Sequence, residues 1–533
     1  MRSVLRPLPR AFTRFVSLMV LIAWVAAMAA LIQQAYLQAS PTLATDLARY
    51  GSQAVWRGVY YRGEKIGFTV GQTLPTPDGF EIQEDGRLQM SLLGATTAAT
   101  IRTTARVDSK FALQEFTFRL DPGTGPTEVH GKLVDLTLTI DITSGGGTRS
   151  ETRQLAEPPA LSLNLPRMLA NGGLVPGATH QWTIFDPATL SNAPMTVTVG
   201  TRELVRGLPV PMPAFRVDLE FAGLRTTAWV TDTGEVVREE SPLGLITVRE
   251  SAENARALAV SNRMRNDLLE ASAVVPTMKT VIAEPRDVRR MRLRLEGVDL
   301  SQPDMVGAGQ NIIDGEIELV DPQSLKPEAA DPDASKYLAA EAFLESDAPE
   351  IIAEAAIAVQ GVTGTRARTE RLTRYVNAIL EKKPTVSLPS AREVLRTKVG
   401  DCNEHTALYV AMARALGIPA RIAVGLVYMH GAFYYHAWPE VYIDEGNGQG
   451  LWLPVDPTLN QFPADTTHLR LARGGLEKQA AILPLIGRMK MEVLDVELAP
   501  NSTPILVGRQ AADLGALAIP IPRRDTACCV CPR

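Results

Sequence analysis

The sequence predicts an α+β protein: an N-terminal membrane helix, a β-rich antiparallel-sheet domain, then a C-terminal α+β domain. Three observations predict it. A single long apolar run stands near the start of the chain. Period-two alternation dominates from about residue 50 to 255, the pattern of strands with one buried face. Helical spacing takes over after about residue 330 and then gives way to three short strands. With 533 residues the chain is too long for one ordinary domain. Hydrophobic content of 45% and charged content of 21% suit a globular protein. A net charge of −5 without a long basic run argues against a nucleic-acid partner.

Residues 1–36 are expected to form a cytoplasmic arm and one transmembrane anchor. The arm carries Arg2, Arg6, Arg10 and Arg14 and no acid. Residues 15–32 follow, with Ser17 their only polar member. That run exceeds the roughly 7–15 apolar residues of a cleavable signal's core and is about long enough to span a bilayer. A long cleaved signal peptide is the alternative. In both cases the arginines stay inside and the rest is exported. The expectation is a single-pass inner-membrane protein with its bulk in the periplasm. Cysteines are sparse: Cys402, then Cys528, Cys529 and Cys531 in a terminal "TACCVCPR" expected to be disordered.

Residues 50–255 read as strands and turns. "TEVHGKLVDLTLTIDITSGGG" alternates and then turns on glycines, and "TTAWVTDTGEVVREE" places a hairpin turn at Asp232–Gly234. One large antiparallel sheet fits this pattern. "VWRGVYYRGEKIGF" and "SPLGLITVRESAENA" resemble bacterial exported β-domains of the lipoprotein-carrier-like type. The resemblance leaves open a lipid or protein partner, or simple packing on a neighbour.

Residues 286–476 are expected to be the α+β domain, with its core at 330–476 and a C-terminal extension at 477–533. "RRMRLRLEGV" and "DGEIELVDP" are candidate strands. Ile351, Ile352, Ala355, Ala356 and Val359 form one helical stripe; Leu372, Val376, Ile379 and Leu380 form another. In "GDCNEHTALYVAMARALGIP", Asp401 is an N-cap and Glu404 completes a capping box. Leu408, Ala411, Met412 and Ala415 mark the buried stripe, and Gly417 and Pro419 end the helix. Cys402 then falls at the first helical position, where free backbone N–H groups favour a thiolate.

Three strands follow: "RIAVGLVY", "FYYHAWPEVYI" and "LWLPVDPT". Alternation puts Tyr434, His436, Trp438, Glu440 and Tyr442 on one face, with Pro439 suggesting an edge or a bulge. A loop over 443–449 sets His436 opposite Asp456; a register two residues away leaves them diagonal neighbours. An acid can then orient an imidazole, and the imidazole can meet a thiol on a helix packed against the sheet.

The order Cys402, His436, Asp456 on helix start, strand and strand resembles the transglutaminase-like superfamily, permuted relatives of papain. The matching motifs are "GDCNEHTALYVAMARALGIPARIAVGLVY", "FYYHAWPEVYI" and "WLPVDPT". The resemblance implies Cys402 as nucleophile, His436 as general base and Asp456 as orienter. It implies a cysteine peptidase, amidase or transamidating cross-linker acting on a protein or peptide, with no cofactor. A non-catalytic binding module is the reading from another class. The Cys402 N–H is one candidate oxyanion donor; no upstream glutamine or tryptophan offers a second. Taken singly, Cys402 would be a small buried hydrophobe, His436 a core histidine and Asp456 a turn residue. Their joint order favours the triad. Asp401, Glu404 and His405 are expected beside it as supporting groups, and Trp438, Trp452 and Tyr434 as cleft walls, with core packing the alternative for the two tryptophans. Cys402 and His405 alone are too few ligands for a zinc site, so no metal is expected.

Overall fold

The structure, a computed structural model, describes residues 50–500 and 505–506, apart from 52, 93–94, 222–223, 242–243, 258–266, 268–272 and 487–488. The expected anchor at 15–32 and Cys528, Cys529 and Cys531 lie outside the described residues. Among the described residues no helix is long and apolar enough to cross a membrane.

Alternating sequence becomes one fourteen-stranded antiparallel sheet between Val55 and Glu250. Its first eight strands meander outward from Val55–Tyr61 to an edge at Gly147–Gln154. Its last six meander inward from an edge at Thr179–Asp186 to Leu245–Glu250. The two runs join where Val55–Tyr61 pairs with Leu245–Glu250. In Thr127–Val134 burial alternates along the first half of the strand, and in Thr137–Ser144 the buried partners are Leu138, Ile140, Ile142 and Ser144. The expected turn at Asp232–Gly234 closes a hairpin, with Gly234 at φ 76°. A short helix, Leu165–Ala170, packs its Leu165 and Leu169 into the apolar cluster of the inward run.

Both strands expected near 286–321 form, as Val288–Glu296 and Glu316–Val320. Their sheet gains Lys490–Leu498, so the C-terminal extension folds back onto the start of this region. Four helices follow: α1 (Pro349–Ala358), α2 (Thr365–Ile379), α3 (Ala391–Thr397) and α4 (Cys402–Ala415). The second five-stranded sheet contains β1 (Ala420–Met429), β2 (Ala432–Gly446), β3 (Gln449–Pro454) and β4 (His468–Arg473), in the order β3-β2-β1-β4 after a short edge strand. Helix α4 touches α1, α2 and α3 on one side and β1 and β2 on the other. Every residue from Glu404 to Arg414 is therefore buried, more than the single stripe expected. A helix packed on both sides has no solvent face.

Two expectations are corrected in the sheet. Pro439 sits neither at an edge nor at a bulge. It lies inside β2, opposite Ile422 of β1. Its carbonyl accepts the Val455 N–H at 2.9 Å, so its missing donor faces the end of β3, where the ladder stops. The β2–β3 hairpin also turns on Asn447–Gly448 alone, both at positive φ. The tight turn pairs Tyr442 with Trp452 and Glu440 with Pro454. That is the register two residues from direct opposition, and His436 and Asp456 are diagonal neighbours.

Gly425 of β1 pairs with His436 on one side and Arg470 on the other. A Cβ there would sit 2.0 Å from the Leu469 carbonyl oxygen. Backbone cannot yield as a side-chain tip can, so Gly425→Ala is expected to cost about 1–3 kcal/mol. Urea unfolding checks this; a midpoint equal to the wild type would mean that β1 and β4 separate without cost.

Candidate active site

The site begins with the start of α4. Asp401 has extended backbone and caps the helix, its carboxylate taking the Asn403 N–H at 3.0 Å. Glu404 reaches back to the Asp401 N–H at 2.8 Å, which completes the expected capping box. Glu404 also accepts the hydroxyls of Thr385 and Ser387. Cys402 stands at the first helical position, half-buried, with a hydrogen bond from the backbone of Ala437 in β2. The thiol thus meets the residue that follows His436.

His436 lies on β2 with its Nε2 2.8 Å from Asp456 Oδ2; the two residues are 4% and 0% exposed. Nε2 is taken by the carboxylate, so Nδ1 is the ring nitrogen left for the thiol side. Asp456 follows β3 and opens a tight turn: it exchanges backbone hydrogen bonds with Gln461, and its Oδ1 accepts the Leu459 N–H. Its second oxygen takes another imidazole, His468 Nε2 at 3.1 Å. His468 Nδ1 faces Asp465 Oδ1 at 3.2 Å.

Sequence reasoning missed His468. It lies on β4, twelve residues past Asp456, and no spacing rule links the two. The available signal was a histidine alternating with Arg470 on a strand, three residues after an aspartate. The ligand atoms of His436, Asp456 and His468 all lie within 4.8 Å of one another. Separations of 2.8 and 3.1 Å are those of N–H···O bonds, and protons account for them.

Trp438 is 1% exposed and stacks on His436, centroids 6.1 Å apart; the edge of His468 meets it at 5.1 Å. It supports the imidazoles as core. Trp452 lies far along the sheet, beside Tyr442, with the Arg421 guanidinium 3.8 Å above its ring. Tyr434 is half-buried on the His436 face. A cavity of about 440 Å³ opens near the start of α4, bounded by Asn403 and Thr406 of α4, by Phe343, and by Arg149, Arg153 and Leu190 of the fourteen-stranded sheet. None of the three aromatics lines it, and neither do Cys402 and His436. His405 turns its Nδ1 to the Asp401 carbonyl at 2.7 Å, and its buried Nε2 meets no partner among the described residues.

The electrostatics divide the site. Burial opposes ionisation of Asp456, but His436 and His468 outweigh it and hold the carboxyl well below the usual range. Burial likewise opposes the charge on His468, but Asp465 and Asp456 raise it to about 10. Cys402 goes the other way. Burial first, then Asp401, push the thiol well above its ordinary value, and the Ala437 contact offsets part of this. The expected help from the helix start is lost for a physical reason. The Asp401 carboxylate already takes the Asn403 N–H, and both capping carboxylates repel a thiolate.

Because His468 gains a proton affinity in the fold, it contributes stability. That contribution is complete below its unfolded value of about 6.5 and is lost as pH rises toward about 10. The difference in thermal midpoint between wild type and His468→Gln should be largest near pH 6 and shrink toward pH 10. A difference constant across that range would show that the pairing is not charged.

The transglutaminase-like superfamily model matches residues 354–457, which span α1 to the Asp456 turn. No curated protein matches the chain. Among solved structures, a candidate cysteine protease from Cytophaga hutchinsonii is similar at 16% identity, over 42% of this chain and 87% of its own, with a TM-score of 0.27. A β-barrel-like protein of a domain of unknown function from Brucella abortus is similar at 13% identity, over 37% and 95%, with a TM-score of 0.29. The periplasmic domain of TgpA from Pseudomonas aeruginosa, bound to ethylmercury, is similar at 19% identity, over 35% and 70%, with a TM-score of 0.22. Residues 354–457 are a domain of the transglutaminase-like superfamily.

Proposed function

We propose that this protein performs thiol-dependent acyl transfer on an amide, with hydrolysis of a peptide or isopeptide as the leading outcome and transamidation as the alternative. The observation that carries the reading is the buried His436–Asp456 bond of 2.8 Å beside a thiol held by the backbone of Ala437. Cys402 is the nucleophile and His436 its base. Asp456 fixes the Nε2–H tautomer of His436, which leaves Nδ1 to take the thiol proton. A thiol pushed up by its surroundings is not a preformed thiolate. The proton therefore leaves as the sulfur attacks the carbonyl, and it returns to the departing amine. The first-turn N–H of Cys402 faces the developing oxyanion. The acyl donor approaches by the cavity at Asn403, the residue after Cys402, and the β-rich region supplies one wall of that cavity.

A non-catalytic module is the reading from another class. Function in cells separates the two readings. Cys402→Ala should abolish complementation of a deletion at normal protein level. Asp456→Asn should cut turnover by about 10³ or more while the protein still accumulates. Full complementation by Cys402→Ala sinks the catalytic reading.

The reading includes placement. The arginine-rich start and the apolar residues 15–32 support an inner-membrane anchor with residues from 50 onward in the periplasm. Protease added to spheroplasts should digest the chain beyond about residue 40 and spare the N-terminal arm. Protection of residues 400–460 in intact spheroplasts would overturn it.

A further inference from the structure

The buried polar cluster around Asp456 contains one more group than the proposed reaction uses. Asp456 Oδ2 receives two imidazole nitrogens, from His436 at 2.8 Å and His468 at 3.1 Å. His468 is 2% exposed at its side chain and lies between two carboxylates, Asp456 on Nε2 and Asp465 on Nδ1. Ionised carboxylates only accept hydrogen bonds, and a neutral imidazole donates from one nitrogen alone. Both nitrogens of His468 face acceptors, so the geometry calls for two N–H groups and a positive charge. His436 has one nitrogen on a carboxylate, and the bond there needs one N–H.

We infer that His468 is a positioning residue for the reaction proposed above: a fixed cation that pins the Asp456 carboxylate toward His436 and cancels part of its charge at the thiol. The inference rests on that proposed function for its consequence and on geometry for its premise. Asp456 is pinned from three sides: the Leu459 N–H on Oδ1, His468 and His436 on Oδ2. Removing one of the two Oδ2 donors frees the carboxylate to rotate and leaves His436 without a fixed partner. Removing the charge adds a second effect. The groups that face the cluster are Asp456, Asp465 and His436, with Cys402, Asp401 and Glu404 across the helix start and the Arg470–Glu440 pair farther along the sheet. Without the His468 cation, the balance around Cys402 turns more negative and the thiolate is disfavoured further. The raised proton affinity of His468 agrees with the count of donors.

The test uses the full chain and iodoacetamide as the probe of Cys402. In the wild type the alkylation rate should rise with pH to a midpoint above the ordinary value of about 8.5. His468→Gln keeps a donor toward Asp456 but carries no charge. Its midpoint should move upward by about one pH unit. Turnover of an amide substrate should fall about tenfold in kcat with KM unchanged. His468→Asn, a shorter amide that also carries no charge, should move the midpoint the same way. It serves as the second reading if His468→Gln does not fold. The double variant His468→Gln with Asp456→Asn removes one charge of each sign and should return the midpoint toward the wild type. A midpoint equal to the wild type in a folded single variant overturns the inference, as does an upward shift that the double variant leaves in place. If Cys402→Ala retains turnover, the proposed reaction fails, yet the alkylation midpoint still reports whether His468 acts on the thiol.

Discussion

A carboxylate with no exposure must be fully paired, and two such carboxylates organise the second sheet. Glu440 and Asp456 are both 0% exposed. Glu440, on β2, binds Arg421 of β1 and Arg470 and Arg473 of β4. Asp456, just past β3, binds His436 of β2 and His468 of β4. Breaking either set would strand a buried charge, at a cost of about 3–5 kcal/mol. Each set therefore fixes register across three strands. Sliding β4 by one residue would turn Arg470 and His468 to the other face and strip each carboxylate of a charged partner, leaving Asp456 with His436 alone. The geometry at His436 is thus a consequence of pairing that the sheet requires in any case. Glu440 stays ionised well below its usual range because three guanidiniums outweigh its burial.

The same constraint explains why the helix start does not activate Cys402 as a bare helix would. A helix N-terminus favours a thiolate through its free N–H groups. Here the Asp401 carboxylate takes the Asn403 N–H, and Glu404, held by Thr385 and Ser387, places a second carboxylate beside the helix start. The capping box secures the helix and removes the electrostatic benefit from its first residue. Burial also raises Asp401 itself, with Glu404 next to it adding to the effect. In the proposed reaction the proton leaves the thiol for His436 during attack while Asp456 stays ionised, so the base must be correctly oriented before substrate arrives.

Local patterns in the sequence were legible where one residue's role follows from its near neighbours. The capping box at Asp401–Glu404, the strand alternation in Thr127–Ser144 and the strand pattern of His436 all have causes within a few residues. Position of the thiol, imidazole and acid along the chain was legible for the same reason. His468 was not, because its role arises from strand order: β4 lies beside β1 rather than after β3, and only that order carries it to Asp456. Trp452 was misplaced because a shared face says nothing of distance along a strand. It pairs with Tyr442, six residues from His436. Pro439 misled because the edge rule concerns a missing donor, and here that donor points to where the neighbouring strand has ended. The protonation of Cys402 was not legible because the helix dipole is a local feature, whereas burial, the larger effect, and the capping carboxylates beside the thiol come from the fold.

The contact between the fourteen-stranded sheet and the helices bears on how the site is reached. The Ser144 hydroxyl meets Ser390, the N-cap of α3, at 2.7 Å, and buried Glu345 accepts from Ser390 and from the Ala391 N–H. Gly145 packs so closely on α3 that a Cβ would sit 2.8 Å from the Glu393 nitrogen. Helix α3 packs on α4, which begins at Cys402. Buried polar networks tolerate little sliding, because each lost partner leaves a desolvated group. The sheet edge is therefore held in register with the helix start, and Arg149 is held there too, through Asp347 and the Ala340 carbonyl. A molecule entering the cavity beside Asn403 meets a wall whose position is fixed by the fold of both regions. In the proposed reaction, selectivity for an acyl donor depends on side chains of the β-rich region as much as on the helix that carries the thiol.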